Sequence, residues 1–442
     1  MCIRDSLNLS DSQILELAYA LQDSERCDVK DLRLSGNKLT GMGIKNLFDI
    51  GFDVLRSVSI LRLSYNPLRK SGLKAIKKAV NDSMLSELIV LELCGCADQH
   101  SVLKLARLIN SVLVNCRYLQ ILDLSDNPLD TEGAQALGDT ISKCSIAQKS
   151  ESNHNESMQS VESSTSNSTD NLVLDEAQEV TVGDDDEPCK VQRLTLSLNG
   201  TNLGDSEVNC FVGKDFIYLQ KLELKRNNIC AGGVSCIADN IALGKLQVNC
   251  LCLDDNPIGL EGFVALGKMF GSEYCQVTEL SLSRCLETLL NNDESNIYEQ
   301  FHHLSLSPTQ DQSLVHLTLN DNYLAERNIH IVGGFLCISP RMQVLQCNRC
   351  KISSNEIDEL MKKHIHSTAD RHPTKIRMWT LVGNSIDDHG VSSIITNLKF
   401  FPDAVSIDLD DNPVSNKKVS ELKKALRNVS LSHQNAEVLV IH

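Results

Sequence analysis

Gly262-Phe-Val-Ala-Leu-Gly267-Lys268 carries most of a phosphate-binding loop, in which glycines let backbone N–H groups approach phosphate oxygens. Met269 stands where such a loop needs Ser or Thr for Mg²⁺, and Val264, Leu266 and Phe270 have the spacing of one helix face, so a structural helix is expected. Cys347-Asn-Arg-Cys350 is the one C-x-x-C, with no second pair at zinc spacing. Cys94-Gly-Cys96 and Cys250-Leu-Cys252 lack further ligands in the same way. Cys27 and Arg33 have phosphatase-like spacing, but Arg33 falls between the apolar Leu32 and Leu34. His302-His303 and His364-Ile-His366 lack an H-E-x-x-H or an acidic cluster. No enzymatic chemistry, metal or cofactor is expected.

What the chain does contain is a repeat. Leu-x-Leu-x-x-Asn recurs as Leu32, Leu34, Asn37; Leu61, Leu63, Asn66; Leu91, Leu93, Cys96; and Leu122, Leu124, Asn127, every 29 to 31 residues. After an interruption it resumes at Leu222, Leu251, Leu280, Leu317, Leu345, Trp379 and Ile407, with Asn227, Asn256, Cys285, Asn322, Cys350, Asn384 and Asn412 in the polar slot. Around Leu194 and Leu196 the register is open, since Asn199 or Thr201 could fill the slot. An apolar residue two after the slot, a glycine six after it in many units (Gly43, Gly72, Gly133, Gly233, Gly262, Gly390) and helical spacing beyond make each unit a short strand, a polar turn and a helix.

These residues resemble the leucine-rich repeats of the ribonuclease-inhibitor-like class, over roughly residues 7–144 and 190–430. The resemblance implies an α/β fold: a curved solenoid, or horseshoe, with parallel strands on the concave face and helices on the convex face. The physics agrees, because a unit this short cannot bury its own leucines and must stack on neighbours. Strands stack about 4.8 Å apart whereas helices need roughly 8–10 Å, so the stack must bend.

The repeat divides the chain into an N-terminal solenoid part at 1–144, an insertion at 145–189 and a C-terminal solenoid part at 190–442. Eleven Asp and Glu against the single Lys149 give the insertion −10 of the chain's −16, and its Ser-rich composition predicts a disordered acidic loop. Smaller insertions are expected at Leu286–His303 and His364–Thr374. Neither end shows an obvious polar cap, so either the terminal segments cap the stack or the chain is part of a longer protein.

With 58 acidic against 42 basic residues, no nucleic-acid partner is expected. No apolar run suits a membrane span, no secretory leader is visible, and the odd count of 17 cysteines reads as reduced thiols, so a cytoplasmic or nuclear location is expected. The predicted function is a protein-interaction scaffold whose contacts come from side chains alternating outward along the strands. Between the leucines these are Arg33, Arg62, Asp123 and Asp408; just before the slot they are Tyr65, Asp126, Arg226, Asp255, Arg284, Asp321, Arg349 and Asp411, with Asp410 beside the last. The alternating signs from Arg226 to Arg349 suit pairing between neighbouring strands, whereas Asp123, Asp126, Asp408, Asp410 and Asp411 suit a basic partner. A second reading follows from the resemblance alone: some intracellular proteins of this repeat type activate small GTPases. A third makes the chain the ligand-sensing end of a larger ATPase receptor.

Overall fold

The computed structural model describes residues 2–3, 7–23, 28–162, 193–286, 313–362 and 374–430, with backbone only for 2–3, 148–162 and 430. Cys27, His302, His303, His364 and His366 lie outside these residues, as do all but the edges of the two smaller insertions and residues 163–189 of the acidic one.

The chain divides into two compact units. The first holds β1 (Cys2–Ile3), α1 (Asp11–Gln22), β2 (Asp31–Arg33), α2 (Gly41–Ile50), β3 (Ile60–Arg62), α3 (Arg69–Asn81), β4 (Val90–Glu92), α4 (Val102–Asn115) and β5 (Ile121–Asp123). Its strands pair in chain order and in parallel, Leu32 against Leu61 and Leu61 against Leu91. Its helices pack each on the next. The leucines that flank each outward side chain are buried, and α3 turns Leu73, Ile76 and Val80 inward to meet them. Alternation in the strand and a spacing of three to four in the helix thus point one apolar layer at one core.

The helix α5 (Thr131–Glu162) runs past residue 144, where the repeat was expected to give way to the insertion. Its Ser145 hydroxyl is buried, donates to Ile141 O and accepts Tyr218 N–H at 3.1 Å.

The second unit takes β6 (Thr195–Ser197) from Leu196 onward, α6 (Asp205–Val212), β7 (Ile217–Glu223) from Leu219 onward, α7 (Ala231–Ala242), β8 (Leu246–Cys252), α8 (Gly259–Met269) and β9 (Glu279–Ser281). It continues with β10 (His316–Thr318), α9 (Ile329–Ile338), β11 (Val344–Gln346), α10 (Ser354–Leu360), β12 (Met378–Thr380), α11 (Asp388–Asn397), β13 (Ser406–Asp408) and α12 (Asn416–Ser430). Strands again follow chain order, with Leu251, Leu280, Leu317, Leu345, Trp379 and Ile407 in register. The predicted α/β repeat solenoid is therefore present in both units: parallel strands that alternate with helices wherever the connection between strands is described.

The open register resolves at Thr201. Leu196 and Leu198 are the buried pair, and the Thr201 hydroxyl donates to Leu198 O at 2.8 Å, so Thr201 fills the slot that Asn227 fills one unit later. In an Asn unit the slot amide closes the turn and locks it to the preceding unit. Asn256 Nδ2 donates to Leu253 O at 2.8 Å and to Leu224 O at 2.9 Å, while its Oδ1 accepts Ile229 N–H at 3.1 Å.

In Cys96, Cys285 and Cys350 the thiol keeps the bond backwards, to Leu63 O, Leu253 O and Leu319 O at 3.1 to 3.3 Å, and shares its single S–H with a carbonyl of its own turn, Cys94 O, Ser283 O or Asn348 O, at 3.2 to 3.5 Å. The unit before Cys96 or Cys285 then closes its turn differently, with Arg69 and Gly259 at positive φ and their N–H groups bonded to Cys96 O and Cys285 O. Burial pushes these slot thiols up, Cys96 to about 11 and Cys285 and Cys350 to about 12.

Helix starts are tied across units as well. Asp11, Asp205 and Asp388, each in a first turn where the dipole favours negative charge, accept the backbone N–H of Thr40, Cys230 and Ser415 at 2.7 to 2.8 Å. The recurring glycine serves the same junction. At Gly390 a Cβ would fall 2.8 Å from Ile386 Cγ2 and closer still to Ser354 Oγ, so no larger residue fits beneath the first turn.

Replacing Asn256 by Ala leaves the buried Ile229 amide without its acceptor and takes one donor each from Leu224 O, which keeps Asn227, and Leu253 O, which keeps the Cys285 thiol, and should cost about 2 kcal/mol. Asn256→Cys, which keeps a donor in the slot, should cost about half as much. Urea denaturation should rank the midpoints Asn above Cys above Ala; equal midpoints for Cys and Ala would refute the donor role.

Candidate protein-binding surface on the strand face

The outward side chains stand in rows because the strands are in register. In the first unit Arg33, Arg62, Glu92 and Asp123 lie opposite one another in turn. Arg33 faces another arginine and folds instead onto its own strand, donating to Asp31 from Nε and from Nη2, the latter at 2.7 Å. Arg62 pairs with Glu92 at 3.3 Å. In the second unit the corresponding row is Ser197, Glu223, Cys252, Ser281, Thr318, Gln346, Thr380 and Asp408; its charged members are Glu223, which pairs with Lys221 at 2.7 Å and accepts the Ser197 hydroxyl, and Asp408 at the end.

The row just before the slot, expected to alternate outward from the strand, belongs to the turn. Tyr65, Asp126, Arg226, Asp255, Arg284, Asp321, Arg349 and Asp411 all have φ between 52° and 60°, and Gly36, Gly95, Gly200 and Gly383 occupy the same place in their units at 57° to 66°. This left-handed residue turns the chain from strand to helix side. It costs a non-glycine residue about 1–2 kcal/mol, less for Asp, whose short side chain can bond locally. Sequence reading missed it because charged residues fill most positions; the four glycines in register were the available signal.

Within the second unit these turn residues form a chain of ion pairs. Arg284 makes a two-point contact with Asp255 and reaches Asp321 at 3.2 Å; Arg349 grips Asp321 from the other side at 2.6 and 2.9 Å. Arg226 lies 3.3 Å from Asp126, across the side-chain gap left by Gly200. Hydrogen bonds from Arg284 and Arg349 hold the Asp255 and Asp321 carboxyls below the usual range. With the Arg284 and Arg349 side chains 53% and 60% exposed, each pair contributes at most about 1 kcal/mol. A cleft of about 620 Å³ opens here, lined by Asp255, Arg284, Asp321, Tyr323, Arg349 and Lys351.

The last described strand differs. Asp408 accepts Asp410 N–H at 3.1 Å, and burial, with Asp410 nearby, raises its carboxyl above the usual value. Asp410 Oδ1 is buried with no hydrogen-bond partner among the described residues, and Asp411 stands exposed in the turn.

Among the described residues, motifs with catalytic spacing do not assemble catalytic geometry. Gly262 through Lys268 lie inside α8, where backbone N–H groups serve the helix. Cys347 and Cys350 are fully buried. Cys250 and Cys252 share a strand face with their sulfurs 4.0 Å apart, and this contact, with Lys221 and Lys225 nearby, lowers the Cys252 thiol below its usual value. Among the described residues no group of three His, Cys, Asp or Glu could hold a metal ion, and no helix is long and apolar enough to cross a membrane.

Comparison with known proteins agrees with the repeat. Residues 115–138 match the family model described as Leucine Rich repeat. NACHT, LRR and PYD domains-containing protein 14 of Mus musculus is 25% identical over 214 residues, covering 47% of this chain, which spans only 19% of that relative's length. Among solved structures, an internalin from Listeria monocytogenes is 12% identical with TM-score 0.40, covering 96% of this chain and 85% of its own. A TLR13–ssRNA13 complex is 14% identical with TM-score 0.34, covering 96% and 60%. The repeats of both units are thus leucine-rich repeats, one of which the family model matches.

Asp321→Asn removes the shared acceptor of Arg284 and Arg349 and should lower stability by about 0.5–1 kcal/mol near neutral pH. The wild-type carboxyl is depressed, so its contribution is present above the unfolded value near 4 and is lost as pH falls through the folded value. Thermal melts should therefore differ from pH 5 to 8 and converge as pH falls through the depressed folded value; a constant offset would contradict the ion-pair account.

Proposed function

We propose that this protein is a non-enzymatic scaffold of the ribonuclease-inhibitor-like class, holding a basic partner protein on its strand face in the cytoplasm or nucleus. The observation that carries the basic partner is the acidic cluster at β13, without an ion-pair partner among the described residues: a buried Asp410 oxygen with no hydrogen-bond donor among them, an Asp408 carboxyl raised by burial, and an exposed Asp411. A lysine or arginine from a partner supplies the missing positive charge, pairing with the exposed Asp411 carboxylate and offsetting its acidic neighbours.

The paired row from Asp126 and Arg226 through Asp255, Arg284, Asp321 and Arg349 would set register, since each exposed guanidinium is already held in place and loses little freedom on binding. In the first unit Arg33, Arg62, Tyr65 and Asp123 offer a separate contact surface, with Tyr65 58% exposed as its aromatic anchor. Activation of a small GTPase is the competing activity. A role as the ligand-sensing part of a larger ATPase receptor is compatible with the same binding surface.

Affinity capture from cytosolic and nuclear extracts should recover a basic protein with the intact chain and lose it when Asp408, Asp410 and Asp411 are changed together to Ser. Retention by that variant, together with loss when Arg284 and Arg349 are changed to Ser, would place recognition on the paired row instead. Acceleration of GTP hydrolysis across a panel of small GTPases would replace the scaffold reading with the activator one.

A further inference from the structure

Helices α3 and α4 carry Arg69, Lys70, Lys74, Lys77, Lys78, Lys104 and Arg107 and not one carboxylate, in a chain whose formal charge is −16. The two helices pack side by side in the first unit. Lys78 is taken by Asp49 at 3.1 Å. Asp98, at the approach to α4, accepts the Ser101 hydroxyl and lies near Arg69 and Lys70.

That leaves Lys70, Lys74, Lys77, Lys104 and Arg107 with no ion-pair partner among the described residues. Lys70, Lys74 and Arg107 are exposed and the other two half-exposed. They are close enough to repel: Arg107, Lys74, Lys70 and Lys77 all depress the Lys104 ammonium. Leucine-rich packing explains the inner faces of these helices, with Leu73, Ile76, Leu105 and Ile109 buried, but it does not explain five unbalanced cations on the outer face.

We propose that this face binds a short acidic segment of a partner protein, as a second interaction surface independent of the strand face. The dimensions suit it. Lys70, Lys74 and Lys77 follow one helix face over about 10 Å at 1.5 Å per residue, and Lys104 and Arg107 run beside them on a helix about 8–10 Å away. An extended peptide places alternate side chains about 6.8 Å apart, so two or three of its carboxylates meet both basic rows. A nucleic acid fits less well. Its charges recur about every 1.7 Å and would run beyond a patch this small into an otherwise acidic chain, and α3 and α4 carry no aromatic residue for base stacking.

The test is fluorescence anisotropy of the full chain with a labelled extended peptide of alternating Glu and Ser. The same peptide with Gln for Glu serves as the uncharged control. Binding of the Glu peptide should weaken as salt is raised. It should fall at least about tenfold when Lys70, Lys74, Lys77, Lys104 and Arg107 are all changed to Gln, a substitution that preserves helix propensity.

A charge-matched variant with Lys417, Lys418, Lys423, Lys424 and Arg427 of α12 changed to Gln should bind as the wild type does. Equal loss in both variants would reduce the effect to net charge and overturn the proposal, as would binding of the Gln peptide as tight as that of the Glu peptide. Preferential binding of a single-stranded oligonucleotide to the same patch would also overturn it. Circular dichroism of both variants separates loss of the surface from loss of fold. Because the Asp408, Asp410 and Asp411 variant leaves this patch intact, the strand-face reading can fail while this one stands.

Discussion

Each unit must cross from strand to helix through a turn that is buried on both sides by its neighbours, and a buried backbone polar group without a partner costs about 1–3 kcal/mol. One side chain per unit settles that demand. An Asn amide has two donors and an acceptor, enough to bond its own turn and reach back to the preceding one, as Asn66 does with Leu63 O, Leu34 O and Leu39 N. Thr and Cys bring a single donor, and the chain compensates around them with backbone bonds. Both carbonyl and amide are thereby pinned at the same place in every unit, which fixes the vertical spacing of the leucines as well as the left-handed residue beside the slot.

That left-handed residue explains the charge pattern. One such side chain projects from each unit, and neighbouring units repeat at about the 4.8 Å spacing of their strands, a distance at which like charges repel and opposite charges pair. A row built this way is stable when signs alternate or when glycine leaves a gap. Both solutions occur: Arg284 sits between Asp255 and Asp321, while Gly200 opens the way for Arg226 to reach Asp126. Alternation is thus a condition of stacking before it is a signal to a partner. The condition is broken at Asp408, Asp410 and Asp411, where acids crowd with no ion-pair partner among the described residues.

The repeat was legible because its causes are local and periodic: leucines two apart, a polar slot three further on, apolar residues returning at helical spacing. Registers followed wherever the slot held Asn or Cys. Thr201 escaped because a hydroxyl and an amide look interchangeable in sequence, and only the bond to Leu198 O decides between Thr201 and Asn199. The turn conformation escaped for a different reason. A positive φ is announced by glycine, and here Asp, Arg and Tyr hold it under the constraint of the stack. Pairing inside a row could be argued from alternation, but pairing along a strand, as Arg33 makes with Asp31, depends on which neighbour the register offers. The surface charge of α3 and α4 was visible residue by residue, yet its meaning required knowing that the two helices lie side by side.

Net charge is a poor guide to what such a molecule attracts. Residues 145–189 supply −10 of the −16, so the repeats themselves carry only −6 between them. Screening at physiological ionic strength confines the influence of an exposed charge to about 8 Å, less than the width of two packed helices. A partner arriving at the outer face of α3 and α4 therefore meets a local field of the opposite sign to the chain as a whole, while one arriving at β13 meets an acidic cluster. A repeat fold permits this segregation because each unit contacts only its neighbours: charge on one pair of helices need not be balanced by the rest of the stack for the core beneath it to pack. The same independence lets a scaffold present surfaces of opposite sign on one chain, each tuned by a few side chains and neither dependent on the total.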